Sequence, residues 1–245
     1  MIKKILAACL VLSSSAAVQA QAMLDLSRYT MTQEFVLPWQ TASESSAITY
    51  NWDTGTLFVV GDEGRTIVEV SRTGTPISTM NLSGFEDTEG LTYIGGGQFV
   101  IAEEREQDLY RLNYTAGGTV SRGSLASFSL GGRNNNEGIE GVSYDPRTGK
   151  YYAVKEKNPQ AVYEATIDFN TGTGSYTNLF LPNLGVSDIS DIQVLTTTLA
   201  GNAFDQNLLI YSQESRSLLE VSRSGQVLSR FDLSRFTATA EGVTI

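Results

Sequence analysis

A single pattern recurs five times along this chain of 245 residues, and it constrains the fold more than any other feature. Each copy opens with a short polar stretch that leads into an apolar strand. A period of this length predicts one supersecondary unit per copy, which buries its hydrophobic faces only by stacking on its neighbours. The equivalent apolar residues, spaced by 43, 51, 50 and 51 positions, are Ile48, Leu91, Val142, Ile192 and Val243.

The four longer copies carry the same series of strands after the first one. A turn, a second apolar strand, a third strand and then a fourth strand follow in the same order. Four short antiparallel strands in about 40–50 residues are typical of a β-propeller blade. A β-sandwich is the alternative, and the detail shared by four units favours the propeller. The predicted second and third strands are 57–62 and 66–70, 99–103 and 108–112, 151–156 and 161–165, and 208–214 and 217–221.

We therefore predict an all-β, five-bladed β-propeller whose blades start near residues 44, 87, 138, 188 and 239. The fifth copy supplies one strand only, so the last blade is expected to be incomplete at the C-terminus. Residues 31–37 precede the first copy and resemble a strand. Because propellers often close with strands from both termini, we expect residues 31–37 to form the outer strand of the fifth blade and residues 241–245 its inner strand.

Residues 1–22 have the layout of a secretory signal peptide, which leaves residues 23–245 as a single propeller domain. Lys3 and Lys4 form a basic start, an apolar run follows, and small residues come next. The apolar run is shorter than the about 20 residues that span a bilayer, and no later segment is long and apolar enough. The predicted location is periplasmic or secreted, with lipoprotein anchoring through Cys9 as the less favoured alternative.

The chain has no histidine and one cysteine, and these two counts exclude several kinds of active site. A Ser–His–Asp system, a His-ligated zinc and an intramolecular disulfide are all ruled out. The net charge of −10 argues against binding to nucleic acid, whose phosphates require a surplus of Lys and Arg. We expect a monomer whose partner is a small molecule or an envelope component, and whose chemistry depends on carboxylates, amides, hydroxyls, Lys, Arg or a hard cation.

Acidic residues precede the first strand of every copy. The first strand of a propeller blade is the innermost, so these carboxylates are expected to converge on the ring axis and to repel one another unless a cation neutralises them. Several carboxylate oxygens at one point suit Ca²⁺, which takes 6–8 oxygen ligands, better than Mg²⁺. The predicted metal ligands are Glu44, Glu89, Glu140, Asp188 and Glu241, with Asp62, Asp87 and Asp191 as candidates for contacts behind them. Ser46 and Ser190 occupy the position of Glu89 in two copies, so Glu44 and Asp188, two residues earlier, are either direct ligands or contacts behind them.

A second set of acids follows the second strand of each copy and is expected at the same end of the ring. Antiparallel pairing places the end of the second strand beside the start of the first. Glu103 and Glu156 are therefore candidates for activating water next to the cation.

The chain resembles the SdiA-regulated (YjiK-like) family. The resemblance lies in DTEGLTY at residues 87–93, AEEREQDLYR at 102–111, NEGIEGVSYD at 136–145, VSDISDI at 186–192 and AEGV at 240–243. It implies a five-bladed propeller with a calcium site, distantly similar to NHL-repeat and strictosidine-synthase-like propellers. Asp191 departs from the pattern because it stands where a glycine is expected.

Two functions of different classes remain open at this point. One is a calcium-stabilised binding or scaffold module. The other is a calcium-dependent hydrolase of esters, lactones or phosphoesters, in which the cation polarises the substrate oxygen. Family resemblance brings no established reaction, and the absence of histidine argues against mechanisms that use one.

Overall fold

A computed structural model describes residues 22–37, 44–62, 65–134, 136–236 and 241–245. The predicted signal peptide lies outside the described residues, apart from its last position. The described strands form a β-propeller arrangement of four blades, each a separate sheet. No helix among the described residues is long and apolar enough to cross a membrane.

Each blade is an antiparallel meander that runs outward from its first strand. Blade one contains β1 (Ser45–Asn51), β2 (Thr56–Gly61), β3 (Thr66–Val70) and β4 (Pro76–Ser83). Blade two contains β5 (Thr88–Gly95), β6 (Gln98–Glu103), β7 (Asp108–Asn113) and the outer strand β9 (Ser127–Ser129). Between β7 and β9 in the chain, β8 (Thr119–Ser121) joins the sheet of blade one, where it pairs in parallel with β4. Blade three contains β10 (Ile139–Asp145), β11 (Lys150–Lys155), β12 (Ala161–Asp168) and β13 (Thr173–Phe180). Blade four contains β14 (Asp191–Val194), β15 (Leu208–Ser212), β16 (Ser217–Val221) and β17 (Val227–Asp232).

In the part of the chain that the structure describes, helical structure is confined to short segments outside the blades. Two 3₁₀ turns lie at Leu26–Arg28 and Arg122–Ser124, and one α-helical turn lies at Thr196–Leu199. The strands predicted for the four longer copies are therefore present, with boundaries that differ by at most three residues, whereas residues 241–245, predicted as a fifth inner strand, form no strand.

Apolar side chains fill the spaces between consecutive blades. Phe58 of blade one meets Phe99 of blade two with ring centroids 4.6 Å apart, and both are buried. Val100 of blade two and Tyr151 of blade three share a second cluster, and a third lies between blades three and four. The hydrophobic faces are thus buried by stacking, as the repeat pattern predicts.

A repeated side-chain hydrogen bond ties the inner strands together. The hydroxyl one residue after the repeated apolar position accepts a hydrogen bond from a backbone N–H of the neighbouring inner strand. Each bond satisfies a backbone donor that would be costly to bury alone. The pairs, donor first, are Tyr93 to Thr49 at 3.0 Å, Tyr144 to Thr92 at 3.2 Å, Val194 to Ser143 at 3.0 Å and Tyr50 to Thr244 at 2.9 Å.

Residues 241–245 lie between the inner strands of blades four and one. The N–H of Val243 donates to Asp191 of blade four, and Thr244 accepts from Tyr50 of blade one. Gly242 approaches blade one so closely that a Cβ there would stand 2.8 Å from the backbone nitrogen of Ile48. The segment occupies the place predicted for a fifth inner strand.

The prediction of a strand at residues 31–37 is wrong. This segment pairs with no strand of the described chain, and Val36 is 89% exposed. Phe35 covers Gly74, and Leu37 packs against the buried valine cluster of blade one, Val59, Val68 and Val70. The alternating apolar residues therefore anchor an extended connection on the face of blade one, which side-chain alternation alone cannot distinguish from a paired strand.

Candidate metal centre

A cavity of about 240 Å³ lies at the end of the ring where the inner strands begin, and most of its lining is acidic. Seven carboxylates contribute to it, together with two serines, two amides and one arginine. The lining residues are Ser46, Asp62, Asp87, Glu89, Glu104, Arg105, Asn136, Glu140, Glu156, Ser190, Gln213 and Glu241.

Most of the lining falls into two sets that repeat from blade to blade. The inner set stands at the start of the inner strands and comprises Ser46, Glu89, Glu140, Ser190 and Glu241. The outer set stands at the end of the second strands and comprises Asp62, Glu104, Glu156 and Gln213. Antiparallel pairing brings the two sets to the same end of each blade, as the sequence predicts.

A β-bulge places the inner side chains in three of the blades. The register between first and second strands shifts between Ser45 and Ala47, between Thr88 and Gly90, and between Ile139 and Gly141. The skipped residues are Ser46, Glu89 and Glu140. A bulge adds one unpaired residue and re-aims its side chain, a device found beside functional sites. These local irregularities turn the inner side chains into the cavity.

Glu104, Glu140 and Glu156 form a triad whose carboxylate oxygens lie within 4.8 Å of one another. Glu104 is buried and the other two are half-buried. Two oxygens 4.8 Å apart on opposite sides of one ion would each be about 2.4 Å from it, within the 2.3–2.6 Å range of calcium–oxygen distances. This acidic triad fits a hard metal ion in both donor type and spacing.

Two of the other carboxylates of the cavity, Glu89 and Glu241, lie next to the side chain of Ser46. Gln213 donates from its side-chain amide to Glu241, and the charge of Asp62 acts on both glutamates. Neutral donors from blades one and four thus stabilise negative charge on this side of the cavity.

Burial makes the ionised form of these glutamates costly. It raises the pKa of Glu89 to about 9, and the charges of Asp87, Glu241 and Asp62 add to the effect. Burial also raises the pKa of Glu140, with further contributions from Glu89, Glu104 and Glu156. The pKa values of Glu104 and Glu241 are raised for the same main reason. A bound cation would offset this cost, because it favours the ionised form of each nearby carboxylate.

A family profile described as SdiA-regulated matches residues 22–245, nearly the whole chain. The chain belongs to the SdiA-regulated family. Its membership agrees with the resemblance carried by the acidic motifs of the repeats.

Solved structures similar to this SdiA-regulated protein have low sequence identity to it. Virginiamycin B lyase from Staphylococcus aureus has a TM-score of 0.50 and 14% identity, covering 86% of this chain and 62% of its own. A protein of unknown function from Bacteroides caccae has a TM-score of 0.47 and 10% identity over 80% of this chain and 63% of its own. Hydrazine synthase from Kuenenia stuttgartiensis has a TM-score of 0.48 and 12% identity over 82% of this chain and 52% of its own. This SdiA-regulated chain spans about three fifths of the length of the first, and the likeness shows the fold alone.

Three of the five residues predicted as metal ligands line the acidic cavity of this SdiA-regulated protein, and two do not. Glu89, Glu140 and Glu241 are in the first group. Glu44 is exposed, and the lining at that repeat comes from Ser46 instead. Asp188 is buried outside the cavity, where it accepts hydrogen bonds from Ser190 Oγ at 2.7 Å and from the backbone N–H groups of residues 213 and 214.

Of the three residues predicted to make contacts behind the metal ligands, two line the acidic cavity and one does not. Asp62 and Asp87 line the cavity directly, and Asp87 pairs with Arg105 at 2.8 Å. Asp191 is buried away from the cavity and accepts from the N–H groups of Ile192 and Val243. Its carboxyl serves the contact between blade four and the C-terminal segment.

Of the two residues predicted to activate water, Glu156 lines the cavity and Glu103 does not. Glu103 is buried in an ion pair with Arg122 at 2.8 Å and accepts the backbone N–H of Glu86 at 2.9 Å. Its neighbour Glu104 lines the cavity and completes the triad.

Glu104 was missed as a candidate, although the repeats contain a signal for it. Asp62, Glu104 and Glu156 each stand two residues after the last apolar residue of the second strand. Gln213 has the same position relative to Tyr211 in blade four. Aligning the copies on the second strand instead of the first identifies this set.

Proposed function

We propose that this chain is an exported, calcium-binding β-propeller of five blades that serves as a binding or scaffold module. The observation that carries the proposal is the triad of Glu104, Glu140 and Glu156, whose oxygens lie within 4.8 Å of one another. Three hard oxygen donors at that spacing match the ligands and distances of Ca²⁺. The raised pKa of Glu89 supports it, because a cation relieves the cost of ionising buried carboxylates.

The same cation is proposed to stabilise the ring. The triad spans two blades: Glu104 directly follows the second strand of blade two, and Glu140 and Glu156 belong to blade three. An ion held by all three links the two blades and thus favours the folded state by mass action. Residues 241–245, placed between blades four and one, support a fifth blade in the closed ring.

A calcium-dependent hydrolase of esters, lactones or phosphoesters is the second candidate, favoured by a larger cavity that adjoins the acidic one. That cavity measures about 440 Å³ and shares Asp62, Asp87 and Arg105 with it. When bound, the cation would polarise a substrate oxygen. Glu156, paired with Lys157 at 2.7 Å, is the remaining candidate for holding a water, since Glu103 is committed to Arg122.

Calcium binding is tested by isothermal titration and thermal unfolding of the chelator-treated protein. We expect Ca²⁺ to bind with a measurable heat and to stabilise the fold by about 2.7 kcal/mol at a concentration 100 times the dissociation constant. Glu140→Gln and Glu104→Gln each keep the shape but remove a charge, and are expected to weaken binding at least about tenfold. Glu106→Gln is the matched control, because Glu106 pairs with Arg133 and does not line the cavity.

Two outcomes contradict the proposal. One is a melting temperature and titration heat that are unchanged by Ca²⁺. The other is equal weakening by Glu106→Gln and Glu140→Gln, which would place the binding on the general surface charge. A panel of esters, lactones and phosphoesters, assayed with calcium and with chelator, separates the module from the hydrolase.

A further inference from the structure

The second cavity has a chemical character unlike that of the acidic one. It measures about 440 Å³, within the roughly 300–1,000 Å³ range of small-molecule sites. Leu82 and Phe85 supply apolar surface, and Arg65 and Arg105 supply positive charge. Asp62 and Asp87 form the wall that it shares with the acidic cavity.

The apolar part of this second cavity is held in place by the core. Leu82 and Phe85 are 8% and 7% exposed. The ring of Phe85 meets that of Tyr110 edge-on, with centroids 5.3 Å apart. A ligand that covers Phe85 would thus meet a surface whose position is set before binding, which limits the entropy lost on association.

Arg105 stands at the boundary between the two cavities with its guanidinium oriented by two partners. Its Nε pairs with Asp87 Oδ2 at 2.8 Å, and its Nη2 donates to Asn136 Oδ1 at 2.8 Å. A guanidinium has five N–H donors in a fixed plane, so those beyond these two contacts can meet a ligand oxyanion. The side chain is 46% exposed, which leaves it accessible.

The charge balance makes anion binding conditional on a cation. Without one, the carboxylates of Asp62, Glu86 and Asp87 in the lining of the second cavity repel an oxyanion at this boundary. With a divalent ion in the acidic cavity, the same place lies between a positive ion and an arginine. Attraction from both sides then replaces the repulsion.

We propose that the two cavities form one composite site for a small organic oxyanion with an apolar body. Its phosphate or carboxylate group lies between the cation and Arg105, within reach of Arg65, and its apolar body lies against Leu82 and Phe85. The inference rests on the cation site proposed above and adds the chemical class of the ligand. Cation and oxyanion bind with positive coupling, which is reciprocal by thermodynamic necessity.

Phenyl phosphate is the probe that carries both features, and benzoate is its carboxylate counterpart. The full chain is titrated with each, at saturating Ca²⁺ and in chelator, after a separate titration has measured Ca²⁺ binding alone. We expect at least one probe to bind about tenfold more tightly with Ca²⁺ than without it. Inorganic phosphate and phenol, each carrying one feature, are expected to bind more weakly than phenyl phosphate.

Substitutions locate the site. Arg65→Gln and Arg105→Gln are expected to weaken probe binding at least fivefold while the Ca²⁺ titration persists. Arg147→Gln is the control, because Arg147 pairs with Asp205 and lines neither cavity. Phe85→Leu keeps an apolar side chain but removes the ring, and is expected to reduce the preference for phenyl phosphate over inorganic phosphate.

Three results overturn the inference while leaving the cation site intact: Ca²⁺ binds but neither probe does, the probes bind equally in chelator, or both arginine variants bind like the unmodified chain. Absence of Ca²⁺ binding in the separate titration overturns the proposed function and this inference together. The two failures are therefore distinguishable.

Discussion

The backbone N–H of Val243 donates to Oδ2 of Asp191 at 2.7 Å, so a buried acid of blade four holds the C-terminal segment. The other oxygen of Asp191 accepts the N–H of Ile192 at 2.8 Å. Gly90, Gly141 and Gly242 occupy the same position in three other copies. Asp191, which stands in place of this glycine in blade four, thus makes a specific contact with the C-terminal segment.

Asp191→Ala is expected to destabilise the protein by about 2 kcal/mol, because it leaves one buried and one half-buried N–H donor without an acceptor. Asp191→Asn retains a carbonyl acceptor. The second oxygen is replaced by an NH2 group, which cannot accept a hydrogen bond, so Asp191→Asn satisfies only one of the two N–H donors and is expected to recover only part of the loss. Urea unfolding measures both; equal losses for the two variants would contradict this role.

Gly141→Ala is expected to destabilise the fold by roughly 1–3 kcal/mol through overpacking. A Cβ at Gly141 would stand 2.4 Å from Asp191 Oδ1 and 2.6 Å from its Cα, so backbone must move. Gly132→Ala is the matched control, since a Cβ there meets nothing within 4 Å. Thermal unfolding compares the pair, and similar melting temperatures would show that the approach of blades three and four is looser than described.

Without metal, the protein is expected to lose stability as the pH rises from about 4.5 towards 9. The pKa of Glu89 is raised from 4.5 to about 9, so folding favours the protonated form of its carboxyl. This stabilisation is fully present below the pKa of the unfolded state and is lost as the pH rises through the pKa of the folded state. Urea unfolding in chelator at pH 5, 7 and 9 measures the slope.

The Glu89→Gln variant is the control for this pH dependence, because it removes one of the titrating groups and is expected to reduce the slope. Saturating Ca²⁺ is expected to flatten it as well, since the cation favours the ionised carboxylates. A metal-free protein that gains stability between pH 5 and 9 would contradict the assignment.

Lys157→Met is expected to raise the calcium affinity about fivefold at low ionic strength. Lys157 Nζ lies 2.7 Å from oxygens of both Glu156 and Glu214, so its charge opposes a cation at the triad. Lys150→Met is the control, because Lys150 pairs with Glu164 outside the acidic cavity. Calorimetric titration at two salt concentrations checks the effect, which salt is expected to reduce. An unchanged or weaker affinity would mean that Lys157 stabilises the liganded form.

The fold was accessible from the sequence because every copy repeats the same order of strands and turns. The inner strands follow the acidic stretches at β1, β5, β10 and β14, as predicted. The extended connection at residues 31–37 was not distinguishable from a strand. Its Phe35 and Leu37 show the spacing of a strand, but their contacts are with the face of blade one, and only the arrangement of blades reveals this.

Only part of the candidate site could be predicted from the sequence. Glu89, Glu140 and Glu241 were identified because each precedes a glycine at the start of an inner strand. Asp188 also precedes an inner strand but is used by four local hydrogen-bond donors, one at the end of β15 and two in the turn that follows it. That choice depends on how the turn folds back, which local sequence does not specify.

The sequence by itself determined the repeat, the β-propeller arrangement and the end of the ring at which the acids gather, because strand periodicity and antiparallel pairing follow from local pattern. Only the tertiary structure decided which acid of each pair faces the cavity. Side chains alternate along a strand, so a shift of one residue moves a side chain to the opposite face. The bulges at Ser46, Glu89 and Glu140 introduce such shifts. At the end of β6, Glu103 pairs with Arg122, and the next residue, Glu104, belongs to the acidic triad.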